Sequence, residues 1–316
     1  MNKLMQKCRR ILKDSKGFTL LELIVVIAIM GFLVAMIAPR LAGVVAGATK
    51  NTDDTNMQRI ATTTSTFNEK TGRLPNDLTN LVIRTAEGEY NVPGVSDGDA
   101  TNGKEALNSV FGNDDESLVP LKIHYLSGTE VTELRNLGIT RVRNWNMTNQ
   151  VDADYNGEGL TPEGSYLEEV EVADGVAVLM VAAGADTGDN WDTSLVTDQH
   201  ILDPDLSYRI VLGLGKENEL VTSGQLQNTA VSPESGANNQ YAYNNYMLVL
   251  PRLQATVDRE GVAATTLDVR EIDTGEATTV NVGEAQQSHQ FLVLSPEGHM
   301  YPTELTGNWN IEDTNE

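Results

Sequence analysis

Thiols are nearly missing from this chain: its single cysteine, Cys8, lies within the first 17 residues. Disulfide staples, cysteine-ligated zinc and a cysteine nucleophile are therefore excluded for everything that follows. Positive charge is scarce too. Beyond residue 17, 16 Lys and Arg stand against 44 Asp and Glu, within a total net charge of −23. A surface this acidic repels nucleic acid and attracts divalent cations, so no nucleic-acid partner is expected. The four histidines, His124, His200, His289 and His299, show no H-E-x-x-H or His-x-His spacing. Asp198 and His200 lie two apart without a third group, and His124 falls in a strand pattern beside Tyr125. The glycines of "GLGKENE" (Gly213 to Glu219) lack the Lys-Ser/Thr ending of a phosphate loop. Neither an organic cofactor nor an enzymatic activity is expected.

What the chain does have is one long apolar run. From Phe18 to Ala38 there are 21 residues, and Glu22 is the only charged one. As a helix this run spans about 30 Å, the hydrocarbon thickness of a bilayer. Ahead of it lie Lys3, Lys7, Arg9, Arg10, Lys13 and Lys16 against one acid, Asp14. The basic end should stay cytoplasmic while the rest crosses. A cleaved secretory signal is the rival reading, and Ala46-Gly47-Ala48 would serve as its processing site. The run is longer than the usual core of about 7–15 residues, and such cores avoid acids. A plain signal anchor leaves Glu22 unexplained, since a carboxylate at mid-membrane costs about 2.5–3.5 kcal/mol, less near the interface. A cut after Gly17 would give Phe18 a new α-amine four residues, or about 6 Å of helix, from Glu22. That amine could neutralise Glu22 in the same subunit or in a neighbour displaced along the helix axis.

The segment "KGFTLLE", followed by an apolar run through Met36, resembles the N-terminus of type IV prepilins and type II secretion pseudopilins. The resemblance covers Lys16 to about Pro39: Gly17 before the cut, Phe18 after it, Glu22 fifth in the mature chain. Gly31 and Pro39 fall where many pilins carry helix-weakening residues, so kinks are expected there. The resemblance implies cleavage after Gly17 and N-methylation of Phe18 by a prepilin peptidase/methyltransferase. It implies an inner-membrane precursor with a periplasmic head, an inner-membrane assembly platform, and other pilin or pseudopilin subunits as partners. Glu22 would help recruit each subunit to a pseudopilus or cell-surface filament. A minor, tip-located binding or adhesion component on the same stalk is the alternative.

The expected architecture is α+β. A basic leader, 1–17, precedes a membrane-spanning and assembly helix, 18–72, and a β-rich periplasmic or extracellular head, 73–316. The helix keeps a three-to-four spacing through Leu41, Val44, Val45, Ala48, Ile60, Thr64 and Phe67, weakening at Asn51-Thr52-Asp53-Asp54, where a bend or frayed turn is expected. Gly72 is its stop signal. Strands are predicted at 122–126, 140–145, 176–182, 208–214, 246–250, 266–272, 278–282 and 291–294, with a short helix at 104–110. Hairpins turn at Asp273-Thr274-Gly275 and at Pro296-Glu297-Gly298. Together these give a mainly antiparallel sheet backed by the long helix. At 244 residues the head is large enough for insertions or a second β subdomain.

One local motif carries metal chemistry. In "DADYNGEGLTPE", Asp152, Asp154 and Asn156 alternate, Gly157 turns, Glu158 offers its carbonyl and Glu163 sits twelfth. This is the spacing of a calcium loop, whose oxygens meet the six to eight ligands Ca²⁺ prefers. Gly159 and Pro162 depart from the helix-loop-helix form, so an isolated Ca²⁺ loop is the reading. A second acidic loop, with Asp186, Asp189 and Asp192 around Trp191, reads as a solvated turn.

Overall fold

The structure is a computed structural model that describes residues 19–86, 89–91, 94–95, 105–107, 121–146, 167–181, 185–186, 191–192, 199–201, 203–227, 229, 232, 245–259, 265–271, 274–302 and 309–311. The chain forms two compact units, Met1–Lys50 and Asn51–Glu316.

Helix α1, Leu20–Thr71, contains 52 residues. At the standard rise it is about 78 Å long. Its segment Leu20–Arg40, 21 residues with none buried, is long and apolar enough to cross a membrane. The helix is unbroken through Gly31, through Pro39 and through the Asn51–Asp54 stretch where a bend or fray was expected. In its polar, threonine-rich part Thr55, Thr63, Thr66 and Thr71 each donate a hydroxyl to the carbonyl four residues earlier, which satisfies the hydroxyls without interrupting the helix. Gly72 ends the helix with φ +72, the left-handed conformation that glycine adopts without a Cβ clash.

The head unit is a mixed sheet with many strands. In chain order come β1 (Leu78–Ala86), β2 (Glu89–Asn91), β3 (Gly94–Val95), β4 (Glu105–Leu107) and β5 (Leu121–Tyr125), then helix α2 (Gly128–Asn136). Next are β6 (Arg141–Asn146), β7 (Leu167–Glu171), β8 (Ala177–Val181), β9 (Ala185–Asp186), β10 (Trp191–Asp192), β11 (Gln199–Ile201) and β12 (Ile210–Gly213). After α3 (Glu219–Thr222), β13 (Met247–Val249) and α4 (Gln254–Val257) follow β14 (Thr266–Glu271), β15 (Ala277–Asn281), β16 (Leu292–Leu294), β17 (Met300–Tyr301) and β18 (Trp309–Ile311).

A ten-stranded sheet runs β17-β16-β13-β12-β1-β6-β7, with β2 on β1 and β5 joined to β12 through β8. Its pairings are antiparallel except for β1 with β6, which is parallel. A second, four-stranded antiparallel sheet has the order β11-β18-β14-β15. The fold is α+β with a large β head, as the apolar runs imply. The eight predicted strands are present, shifted by a residue or two, and both hairpins turn where expected, with positive φ at Gly275 and Gly298. The short helix expected at 104–110 is corrected: Glu105–Leu107 is a strand paired in parallel with β3.

The core explains the head part of α1. Met57, Ile60, Ala61, Thr64 and Phe67 are buried, at helical spacing, in the same unit as the buried Leu78, Val178–Val181, Val211 and Leu248. Ala48, read with this stripe, is exposed. Burying side chains of this size stabilises by about 1.5–3 kcal/mol each. The junction between helix and sheet is clamped. The Leu74 N–H donates to the Leu137 carbonyl at 2.6 Å, and both Arg73 guanidinium nitrogens bond the Glu219 carboxylate.

Candidate functional site

The motif at the N-terminus is described from Thr19 onward; Lys16, Gly17 and Phe18 lie outside the described residues. Thr19 and Glu22 form a reciprocal cap on α1. The Thr19 N–H donates to Glu22 Oε2 at 2.8 Å, the Thr19 hydroxyl donates to the same oxygen at 2.9 Å, and the Glu22 N–H donates to Thr19 Oγ1 at 3.2 Å. This is a capping box, T-x-x-E, which answers orphan N–H groups at the helix start. It also places the acid in the first turn, where the helix dipole favours negative charge. Among the described residues Oε1 of Glu22 receives no hydrogen bond, and the side chains after it are exposed: Leu23, Ile24, Val25 and Val26. One carboxylate oxygen is thus fixed and its twin is open, on an apolar segment, Leu20–Arg40, in which no residue is buried. Gly31 sits in this stretch with open space around it.

The possible calcium loop Asp152, Asp154, Asn156, Glu158 and Glu163 lies outside the described residues. Of the second acidic loop, Asp186 and Asp192 fall on the small β9–β10 pair, in which Trp191 faces Asp186 in register. His200 lies on β11, opposite Asn310 of β18, while Asp198 is outside the described residues.

Two polar clusters in the head were not legible from spacing. In the first, His124 on β5 places Nε2 2.7 Å from Glu130 Oε1, both side chains buried. Glu130 also accepts from the Thr256 hydroxyl at 2.7 Å, the Ser127 N–H at 2.8 Å and the Ser127 hydroxyl at 2.9 Å. Arg259 Nη1 is 3.3 Å away. Burial alone would raise this carboxyl. The hydrogen bond and charge of His124, then the Ser127 and Thr256 donors, more than reverse that and bring it down to about 2. Every donor is a packing partner between β5, α2 and α4, so the arrangement locks these elements together.

The second cluster gathers Asp53 of α1 with Ser232, Tyr246 and His299. Asp53 is fully buried and accepts from the Tyr246 hydroxyl at 2.8 Å; its Oδ2 is 3.1 Å from His299 Nδ1. Burial, then the Asp53 carboxylate, raises the Tyr246 phenol and keeps it protonated. The partners come from as far as 246 residues along the chain, so no local pattern announces them.

Residues 12–38 match the family model described as the prokaryotic N-terminal methylation motif. No curated protein and no solved structure matches the chain.

Proposed function

Because residues 12–38 carry the prepilin-type methylation motif of type IV pilins and pseudopilins, we propose that this protein is a structural subunit of a pilus-like or secretion-pseudopilus filament. The precursor sits in the inner membrane through Leu20–Arg40 with its head in the periplasm. A prepilin peptidase cuts after Gly17 and methylates the amine of Phe18. The mature subunit is then drawn by an assembly platform into a stack of like subunits. The observation that carries this reading is Glu22: a carboxylate near the start of an exposed apolar helix, with one oxygen capped by Thr19 and the other open.

The physical role follows. Once Phe18 is the chain start, its amine is four residues, about 6 Å of helix, from Glu22. Charge pairing in low dielectric is strong, so an amine of the next subunit at Oε1 would set the axial register. Apolar packing of the helices supplies the attraction and Glu22 the alignment. Substituting Glu22→Leu should leave cleavage intact and abolish filament incorporation, because the cap is not part of the cut bond. Normal incorporation of the Leu variant would contradict the role given to Glu22.

A minor, tip-located subunit is the second reading. The four-stranded sheet β11-β18-β14-β15, added to a ten-stranded one, favours it, since a head this large is bulky for the repeating subunit. Labelling of native filaments would find the head along the shaft in the first case and at the end in the second. Calcium at Asp152–Glu163 is part of the proposal on sequence grounds, and Ca²⁺ should raise the melting temperature of chelator-treated protein.

A further inference from the structure

The head end of α1 carries two consecutive acids, Asp53 and Asp54, and both reach toward the β16–β17 turn. One carboxylate oxygen from each and a ring nitrogen of His299 all lie within 4.8 Å of one another. Asp53 Oδ2 and His299 Nδ1 are 3.1 Å apart. Donors sharing an ion at about 2.0–2.1 Å sit roughly 3–3.4 Å from each other, so this pair already has the separation of neighbouring ligands. Asp53 is fully buried, whereas Asp54 and His299 are partly exposed, which leaves an approach from solvent.

The charge around these three groups is one-sided. Glu297 brings a further carboxylate, with both oxygens 2.8 Å from the Ser232 hydroxyl, and the same hydroxyl is 3.3 Å from Asp53 Oδ1. A hydroxyl has one proton and cannot serve three carboxylate oxygens. Among the described residues the basic group paired with Asp53 is His299, and no lysine or arginine pairs with Asp53, Asp54 or Glu297. Buried carboxylates persist where a cation answers them.

From this we infer a divalent transition-metal site, of the Zn²⁺ class, ligated by Asp53, Asp54 and His299, with Glu297 and Ser232 beside it. The donor set selects the ion. Imidazole with two carboxylates suits Zn²⁺ and its neighbours, whereas Ca²⁺ and Mg²⁺ take oxygen shells. Three protein ligands leave a further position open to solvent. Tyr246 donates to Asp53 Oδ1 and leaves Oδ2 turned to His299, the outer-shell orientation that metal-binding carboxylates use. The ion would tie α1 to the β16–β17 hairpin, two elements held far apart by sequence. This site shares no residue with the Asp152–Glu163 motif and does not depend on filament assembly.

The test uses the full chain in detergent micelles, stripped with chelator and titrated with ZnCl2, with CoCl2 as an optical probe. Expected are one saturable site per chain, visible cobalt absorption bands and a Zn²⁺-dependent rise in melting temperature. Asp54→Asn and His299→Gln, both close in volume to the residues they replace, should each weaken binding roughly tenfold or more. Circular dichroism checks that both are folded. Absence of saturable Zn²⁺ binding at micromolar concentration overturns the inference, as does wild-type affinity in either folded variant. Displacement of Zn²⁺ by an equal concentration of CaCl2 overturns the assignment to the transition-metal class.

Discussion

Glu130 shows how a single side chain holds the head together. Its carboxyl falls to about 2 from the ordinary 4.5, so the folded state prefers the ionised form more strongly than the unfolded chain does. A depressed carboxyl stabilises at pH values above its unfolded pKa, and the contribution disappears as pH falls toward 2. Chemical denaturation of the wild type should therefore weaken progressively below about pH 4.5. Glu130→Gln, which leaves His124 and Arg259 without their anion, should cost about 3 kcal/mol at neutral pH and flatten this acid limb. An unchanged urea midpoint in the Gln variant, or the same acid limb, would contradict the role. Glu22 is the same residue type in the same helical position, N3 of a capping box, but exposed on an apolar helix. In the proposed filament its partner lies outside the chain, and Glu22→Gln should leave the helix formed while lowering filament yield, as electron microscopy would count.

At the scale of elements, the two capping boxes, Thr19–Glu22 and Ser127–Glu130, share a spacing that is visible in the sequence as T-x-x-E and S-x-x-E. Neither box, nor the helix α2 that the second one starts, is among the elements expected from the sequence. Strand β1 escaped for a different reason. Leu78, Thr79, Asn80, Leu81 and Val82 are all buried, so the strand has no apolar–polar alternation to detect. Asn80 is unusual in a strand, and its side chain donates to the Ala177 carbonyl at 2.7 Å, an interaction 97 residues away. The core stripe Ile60, Thr64 and Phe67, the eight strands and both hairpins were legible because their period or turn residues are local. Asp53 was not, since Asn51-Thr52-Asp53-Asp54 looks like a polar weak point until His299, Tyr246 and Ser232 arrive from distant segments. The junction offers a sharper test. Gly138 has φ +98, and a Cβ there would lie 2.6 Å from Arg73 Cβ and 2.9 Å from the Leu74 carbonyl oxygen. Gly138→Ala should destabilise by at least about 1–3 kcal/mol, because it combines a left-handed backbone with a backbone clash. A melting temperature within a degree or so of wild type would contradict a tightly packed junction.

For the whole molecule, the division between an apolar helix and an acidic head fits a subunit that leaves the bilayer. The head, residues 73–316, carries 40 acids against 12 basic residues, a surface that draws divalent ions. Calcium should raise the melting temperature of the head, with the increase lost in Asp152→Asn; an unchanged melting curve with chelator would remove the loop from the account. The proposed pairing of Glu22 with an amine depends on where the mature chain starts. The most direct measurement is the N-terminal residue of the native mature protein, read by mass spectrometry of its terminal peptide. The expected result is Phe18 carrying an N-methyl group; a chain that begins near Thr49, or one that retains Met1, would contradict the proposed function.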